Sequence, residues 1–500
     1  MLSATNTKSA QLAALDLGSN SFHLLIAQED QGRIQVIDKY KEMVRLGEGL
    51  TTSNELKPEV AERALLCLER MSQRLRSVER ENLRVVGTNT LRRLTSNSSF
   101  VVEAEAMLQH PIEIISGREE ARLIYSGVCH DLGDNTNRQL VVDIGGGSTE
   151  LIVGENYAAQ TLESLNVGCV SITKKHFTPN RSLDEIFRNA IVDVLVELEP
   201  VAQTYLQAGW NQVVGASGTI NSVMAVQTAM DIGTQITPCS LQRIREEILR
   251  LGGSHRLPGL AIERADVFAG GLAILIAVFQ TFRIEAMEAS QSALREGVIL
   301  DLLGRKRDSD IRFRTVADVG KRFSVDQAQA QRVRHTAMTL FDQIEQQWGL
   351  NSRLQRHLLG WAADLHEIGM DISHNKYHKH GSYLLSHMDL PGFSRTEQAQ
   401  LAALIGTHRR KLHPEVLEHN PKWVIELALL LRLAALLHRH RGAEATPRIC
   451  ITANNDAQSV GLKLAIDPDY LQEHSLTALD LANEVKLLAA IGIRFSVNDN

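Results

Sequence analysis

Two stretches of this chain match one another. LDLGSNSFHLLI spans residues 15–26 and VDIGGGSTELIV spans residues 142–153. Asp16 aligns with Asp143, Gly18 with Gly145 and Ser21 with Ser148. In each stretch apolar residues run into a Gly/Ser turn and out into apolar residues again, the pattern of a β-hairpin. The match continues downstream: residues 85–90 (VVGTNT) parallel 213–219 (VVGASGT), and residues 112–117 (IEIISG) parallel 284–289 (IEAMEA). Between the first two landmarks each half holds a long segment of helical period, at about 57–77 and 182–208. Each half therefore reads βββαβαβ, which predicts an α/β fold with a mixed sheet and helices on its faces. A duplicated unit of this kind leaves a cleft between its copies, and both Gly-rich turns can face it.

After about residue 304 the period changes. Residues 315–441 are almost wholly helical in pattern, and the Leu-rich segment 423–437 reads as a buried bundle helix. Residues 443–500 read as a small α/β module, with strands at 448–453, 460–466 and 491–497 and a helix at 476–490. Residues 304–310 and 442–447 are the linker candidates. Charge follows the same division. Residues 301–450 carry 22 Lys and Arg against 16 Asp and Glu, and 12 of the 18 histidines, within a chain of net charge −6. One basic, His-rich segment in an acidic chain suggests a local polyanion contact, with a solvated helical surface as the alternative, and not a generally basic binder.

Several classes are excluded. The 44% hydrophobic and 22% charged composition is that of a folded globular chain. No run of 18 apolar residues suggests a membrane span, and residues 1–11 lack an apolar signal core, so a cytoplasmic location is expected. Five scattered cysteines without a CxxC pair suit free thiols and no zinc site. No GxxxxGK[ST] motif is present, which disfavours a P-loop NTPase.

The turns suggest chemistry. Gly145, Gly146, Gly147 and Ser148 let backbone approach a ligand closely and form a nest of N–H groups for an anion. Asp16, Gly18, Ser19, Asn20 and Ser21 offer a matching cradle, and Gly215, Ser217, Gly218 and Thr219 a third. Asp143, just before its turn, and Glu150, just after, are candidates for a magnesium site, because Mg²⁺ binds through one or two carboxylates plus phosphate oxygens. In the segment 116–123 (SGREEARL), Ser116 and Glu119 have capping-box spacing, which accounts for Glu119. Glu120 is left over beside the cleft and could take a proton from an attacking water. Arg92 could neutralise a phosphate.

Together, DLGSNSFHLLI, ISGREEARLIY and VVDIGGGSTEL, with residues 86–92 and 215–219, resemble the exopolyphosphatase / guanosine pentaphosphate phosphohydrolase family, a branch of the actin-like ATPase superfamily. The resemblance implies two actin-like (ribonuclease H-like) domains at 1–125 and 126–304, a helical HD-like domain at 305–442 and a small α/β domain at 443–500. It implies hydrolysis of the terminal phosphoanhydride bond of inorganic polyphosphate, or of the 5′ γ-phosphate of guanosine pentaphosphate (pppGpp), with Mg²⁺ and with room for a monovalent cation such as K⁺. The polyphosphate reading is ranked first. Glu120 would be the base, Asp143 and Glu150 the metal ligands, and the turn residues with Arg92 the phosphate contacts. A homodimer is implied, peripheral at the inner face of the membrane. A nucleotide-dependent kinase and a non-catalytic polyphosphate-binding module are the competing classes.

Two departures stand out. The family's G-A-L-R-E-G segment begins here with Ser292, which is expected to narrow one cleft wall. The segment 363–369 (ADLHEIG) is similar to the H-D-I-G signature of HD phosphohydrolases, with Glu367 in place of aspartate. His335 and His380 are possible further ligands, but the distal aspartate is missing, so a vestigial centre is expected. Arg312, Arg314, Arg334, Lys376, Lys379, Arg409, Arg410 and Lys411 could guide a polyphosphate chain instead.

Overall fold

The computed structural model describes residues 10–30, 33–94, 98–132, 137–178, 181–307, 309–412, 418–442, 447–453 and 461–498. In the first repeat β1 (Gln11–Leu17) and β2 (Ser21–Asp30) form an antiparallel hairpin that β3 (Arg33–Met43) extends. The chain crosses through α1 (Pro58–Arg74) to β4 (Leu83–Gly87), parallel to β1. The short α2 (Asn89–Arg93) and α3 (Ser99–Leu108) lead to β5 (Glu113–Ile114) and then α4 (Gly117–Leu132).

The second repeat runs the same course. Strands β6 (Gln139–Ile144), β7 (Thr149–Glu155) and β8 (Ala158–Leu165) precede α5 (Cys169–His176) and α6 (Leu183–Ala208). Next come β9 (Gln212–Ala216), α7 (Ser217–Ala229), α8 (Pro238–Leu251), α9 (Ala265–Phe282), β10 (Glu288–Ala289) and α10 (Leu294–Lys306). The sheet orders are β3-β2-β1-β4-β5 and β8-β7-β6-β9-β10, so the two copies share one topology. Asp16 faces His23 across its hairpin as Asp143 faces Glu150 across the other.

Strand period sorts the side chains between two cores. Ala13, Leu15 and Leu17 of β1 pack with Leu68 and Met71 of α1, while Leu12 and Ala14 pack on the opposite face with Tyr125 of α4. That second core also takes Val141 and Ile152 from the other sheet and Val298 and Ile299 from α10, so it joins the repeats. A Cβ added at Gly297 would collide with the Leu123 carbonyl, and one at Gly127 with that of Ala293. Bare backbone at these two positions is what lets α4 and α10 touch. Charge ties the same region together. Arg84, 2% exposed, donates to Glu113 at 2.8 Å and to Asp301 of α10 at 2.7 Å, and Arg122 of α4 reaches Asp301 at 2.5 Å. Three guanidiniums, Arg122, Arg84 and Arg305, hold the buried Asp301 carboxyl well below the usual range.

Among the described residues one helical stretch, Ile262–Phe282, is long and apolar enough to cross a membrane, and 78% of its most apolar window is buried in the protein. Phe268, Leu272, Leu275 and Phe279 show why: α9 is a core helix of the second repeat.

The chain divides into two compact units, Met1–Asp310 and Ile311–Asn500. Position 125 falls inside α4. In the second unit α11 (Ile311–Arg322), α12 (Gln327–Trp348), α13 (Arg353–Leu365), α14 (Tyr377–His387), α15 (Arg395–Thr407) and the helix Lys422–Leu437 pack with a three-stranded sheet. The sheet strands are β11 (Ile449–Ala453), β12 (Gly461–Ile466) and β13 (Arg494–Val497). Phe341, Trp361 and Leu430 share one core with Ile451, Leu464 and Phe495, so residues 305–442 and 443–500 do not have separate cores.

One expected correspondence is out of register. Gly87 pairs with Ile114, and Gly215 pairs with Ala289. Ile114 therefore corresponds to Ala289, not to Ala286. The reason is local: Met287 pairs instead with Ile236, and the chain reaches β9 only afterwards.

Candidate active site

The two hairpin turns line one cavity of about 510 Å³ within the first unit. Both turns close in the same way. Gly145 N donates to the Ser148 carbonyl at 2.9 Å, and Gly18 lies beside the Ser21 carbonyl, where a Cβ would sit at 2.8 Å. Each turn is braced from behind. Val44 N and Arg45 N donate to the Asn20 carbonyl, Gly47 N donates to the Ser19 carbonyl, and Thr90 Oγ1 donates to Ser19 Oγ at 2.8 Å. Cys169 N and Val170 N donate to the Gly145 and Gly146 carbonyls. The turns also touch each other. A Cβ on Gly146 would lie 3.2 Å from that of Ser19, and one on Gly147 would lie 2.9 Å from Asn89 Cγ.

Asp16, Gly18, Ser19, Asn20, Ser21, Glu120, Asp143, Gly145, Gly146, Gly147, Ser148, Ser217 and Gly218 all line this cavity. Buried acid collects there. Desolvation first, then the charge of Glu120, pushes the Asp16 carboxyl up to about 8 and that of Asp143 up to about 7. Asp16 Oδ1 and both side-chain polar atoms of Asn20 are buried without a hydrogen-bond partner. Unpaired buried polar atoms are costly, so their presence around a cavity marks places kept for a ligand. A cluster of protonated or orphaned carboxylates is the environment that a divalent cation relieves. Among the described residues no three His, Cys, Asp or Glu side chains form a group that could hold an ion, so a cation here would need substrate oxygens as well.

Four expected site residues stand elsewhere. Arg92 does not line the cavity; its Nη1 donates to Glu120 Oε2 at 2.6 Å and to the Ile115 carbonyl, because α2 turns back toward the start of α4. Glu150, 1% exposed, lies behind the turn and accepts from Ser164 Oγ at 2.7 Å. Burial, with Glu120 and Asp143 next, raises its carboxyl well above the usual range. Gly215 is a packing glycine, since a Cβ would come 2.6 Å from Met287 Sδ. Thr219 is fully buried and donates to the Ile144 carbonyl at 3.1 Å. Ser292 is also off the cavity wall, in a turn where its N donates to Ser290 Oγ, so it narrows nothing. Ser116 caps α4, its Oγ accepting from the Glu119 N–H, and the Glu119 carboxylate accepts two hydrogen bonds from Arg122.

The cavity has basic walls that sequence reading missed. Lys39, Lys41, Arg264 and Arg295 line it, together with His23, whose imidazole is held well below its usual value by burial and by the neighbouring Arg295. Arg264, 8% exposed, reaches Thr219 Oγ1 at 3.2 Å and lies beside Gly218. Burial pulls the Lys41 ammonium down from its usual value, with Arg264 as the next cause. The correct strand register would have found Arg295. Six residues past Ile114 is Glu120, and six past its counterpart Ala289 is Arg295. Lys39 and Lys41 were readable as same-face neighbours of a strand.

Acid, orphaned acceptors, glycine turns and a cationic wall around one cavity form a place for a phosphate chain. Comparison with known proteins agrees. Residues 25–306 match the model of the Ppx/GppA phosphatase family, and residues 311–485 match that of Ppx/GppA phosphatase, domain III. The chain belongs to the Ppx/GppA phosphatase family. The guanosine-5′-triphosphate,3′-diphosphate pyrophosphatase of Aeromonas hydrophila is 40% identical over 486 residues, 96% of this chain and 97% of its own. That of Vibrio cholerae is 38% identical, covering 97% of each. An exopolyphosphatase from Cytophaga hutchinsonii shares the fold, with a TM-score of 0.53 and 23% identity over 59% of this chain and 97% of its own.

The second unit holds the HD-like segment. His366 is buried, with Nδ1 on the Ala363 carbonyl at 2.7 Å, and Glu367 accepts from Arg441 at 2.5 Å. His335 is exposed on α12, and neither it nor His380 shares the cavity that His366 lines. Three of the expected chain-guiding residues are already in ion pairs: Arg312 with Glu397, Arg314 with Asp318, and Arg334 with Asp364.

Proposed function

We propose that the chain cleaves the terminal phosphoanhydride bond of a substrate whose end enters the cavity between its repeats. The amides of Gly146, Gly147 and Ser148 and the side chains of Asn20 and Ser21 would hold the terminal phosphoryl group. Arg264, Arg295, Lys39 and Lys41 would meet the charge of the phosphates behind it. Glu120, held from behind by Arg92, would orient a water and take its proton during in-line attack. Asp143 and Asp16 would hold Mg²⁺, with the buried Glu150 carboxyl behind them. When bound, the cation would offset negative charge on the phosphoryl oxygens. Phosphoryl transfer needs mostly positioning and charge stabilisation, so this set suffices without a covalent intermediate.

The observation that carries the reading is the convergence of Glu120, the orphaned Asp16 and Asn20 atoms and both glycine turns on one cavity. Guanosine pentaphosphate is supported as substrate by the names of relatives alike over almost their whole length. Inorganic polyphosphate presents the same terminal group, and the likeness to an exopolyphosphatase supports the fold needed for it. The resemblance further supports a cytoplasmic homodimer, peripheral at the inner membrane face. The test is phosphate release from guanosine pentaphosphate and from long-chain polyphosphate, side by side, with Mg²⁺. Release from neither, by folded protein, would sink the proposal; transfer of the phosphoryl group from ATP to an added acceptor, without phosphate release, would make the chain a kinase.

A further inference from the structure

The second unit contains a cavity of about 750 Å³ that the proposed hydrolysis does not use. That volume is right for a nucleotide-sized ligand. Its chemistry is lopsided. Three acids line it, and each is taken by an arginine: Glu484 by Arg432 at 2.6 and 3.0 Å, Asp480 by Arg439 at 2.6 Å, and Glu367 by Arg441 at 2.5 Å. Arg409, Arg410 and Lys486 also line the cavity, and among the described residues none of them has a carboxylate partner. The wall therefore carries three cations in excess around a partly enclosed space.

The cations are held in place. Arg409 lies over the Tyr377 ring, 4.3 Å from its centroid. Arg410 and Arg441 have left-handed backbone, with φ of 67° and 56°. That conformation costs a non-glycine residue about 1–2 kcal/mol and tends to gather at binding sites. Arg432, 3% exposed, donates to the Thr407 carbonyl and, at 2.8 Å, to the Arg410 carbonyl, which fixes the turn bearing the free arginines.

A separate observation asks for a ligand. His408, 2% exposed, also lines the cavity. Its Nδ1 is 2.6 Å from the Ile405 carbonyl, so Nδ1 carries the hydrogen and Nε2 is left as an acceptor. That Nε2 is buried and has no partner. A cation is a poor occupant of a space with excess positive charge, whatever the neighbouring HD-like segment suggests. An anion that also offers a hydroxyl satisfies both demands.

We infer that this cavity is a second binding site, for a small molecule carrying several adjacent phosphates and a hydroxyl donor that reaches His408. The hydroxyl could sit on a ribose or on a protonated phosphate, so a nucleotide and a short inorganic chain are the two sources of this chemistry. The site stands independently of the hydrolytic reading.

Hydrogen–deuterium exchange of the full-length Glu120→Gln chain tests it, with inorganic tripolyphosphate as one probe and guanosine 5′-diphosphate 3′-diphosphate as the other. At ten times the dissociation constant, peptides covering 366–377, 405–412 and 430–441 should exchange about tenfold more slowly. Slowing with tripolyphosphate assigns an inorganic source, and slowing with the nucleotide alone assigns a nucleotide. The Arg409→Gln/Arg410→Gln double variant should lose most of the effect, and Lys486→Gln serves if the double variant does not fold. No slowing with either probe overturns the inference, as does slowing that survives these substitutions unchanged. Peptides covering 16–23 and 143–149 report on the cleft in the same experiment. Failure there with slowing in the second unit would count against the proposed hydrolysis alone.

Discussion

Arg92 of α2 and Glu120 of α4 meet at 2.6 Å, although 28 residues separate them in the chain. In the proposed mechanism Arg92 would therefore act through Glu120 and not on substrate. Glu120→Gln should lower kcat by about 10²–10⁴-fold with the fold intact. Arg92→Met should lower kcat by up to about 10²-fold, the cost of a misplaced base, with KM little changed. Arg92→Lys should recover part of the loss. Steady-state phosphate release separates the two parameters; a rise in KM alone would return Arg92 to the role of phosphate contact expected from sequence.

The glycines of the second turn are not equivalent. A Cβ on Gly147 would press on Asn89 and lie 3.1 Å from Ser19 Oγ, whereas one on Gly145 meets only the Ser148 carbonyl at 3.2 Å. Gly147→Ala should force the turns apart, costing about 1–3 kcal/mol of stability and raising KM. Gly145→Ala should do less on both counts. Denaturant unfolding and KM measured on the pair check the order, and equal effects would argue against turn-to-turn contact as the cause.

Asp16 and Asp143 keep their protons to about pH 8 and 7 in the folded chain, against a usual value of 3.8. Between the usual and the raised values the folded chain binds more protons than the unfolded one. Stability from these groups is therefore full at low pH and falls as pH rises through 7 and 8. A divalent cation takes the place of those protons. Mg²⁺ should thus raise the melting temperature more at about pH 8.5 than at about pH 6, by a few degrees. Asp16→Asn should flatten the difference. A Mg²⁺ effect independent of pH would remove these carboxylates from the cation site.

Asp301 joins α10 to Arg84 and Arg122, both of which it meets within 2.7 Å. Asp301→Asn leaves buried guanidiniums short of charge and should cost about 3–5 kcal/mol. Thermal unfolding gives the figure, and a loss below 1 kcal/mol would mean that Glu113 and Glu119 carry the network alone.

The repeat was legible because its signals are local. The apolar runs of β1 and β6, and a turn of small residues between strands, survive in one sequence. Lys39 and Lys41 share a strand face in the sequence, but that this face lines the cavity follows only from the fold, where Lys39 meets Glu296 of the other copy. The third landmark slipped because β10 has only two residues, and the apolar residues before it answer to packing and to the bridge with Ile236. Gly215 and Thr219 were read as ligand contacts, but a glycine pressed against Met287 and a buried hydroxyl look the same in sequence as a phosphate cradle. In the second unit, arginines that neutralise buried acids are indistinguishable in sequence from those that face a cavity.

Glu120 and Arg295 occupy equivalent places in the two halves, and both reach the cleft. Two separate, identical chains facing each other would set acid against acid or base against base. Fusion into one polypeptide frees each half to differ, so an incoming phosphate tail can meet opposite signs at its two flanks. Direction, which a symmetric pair cannot encode, is thereby written into the pocket.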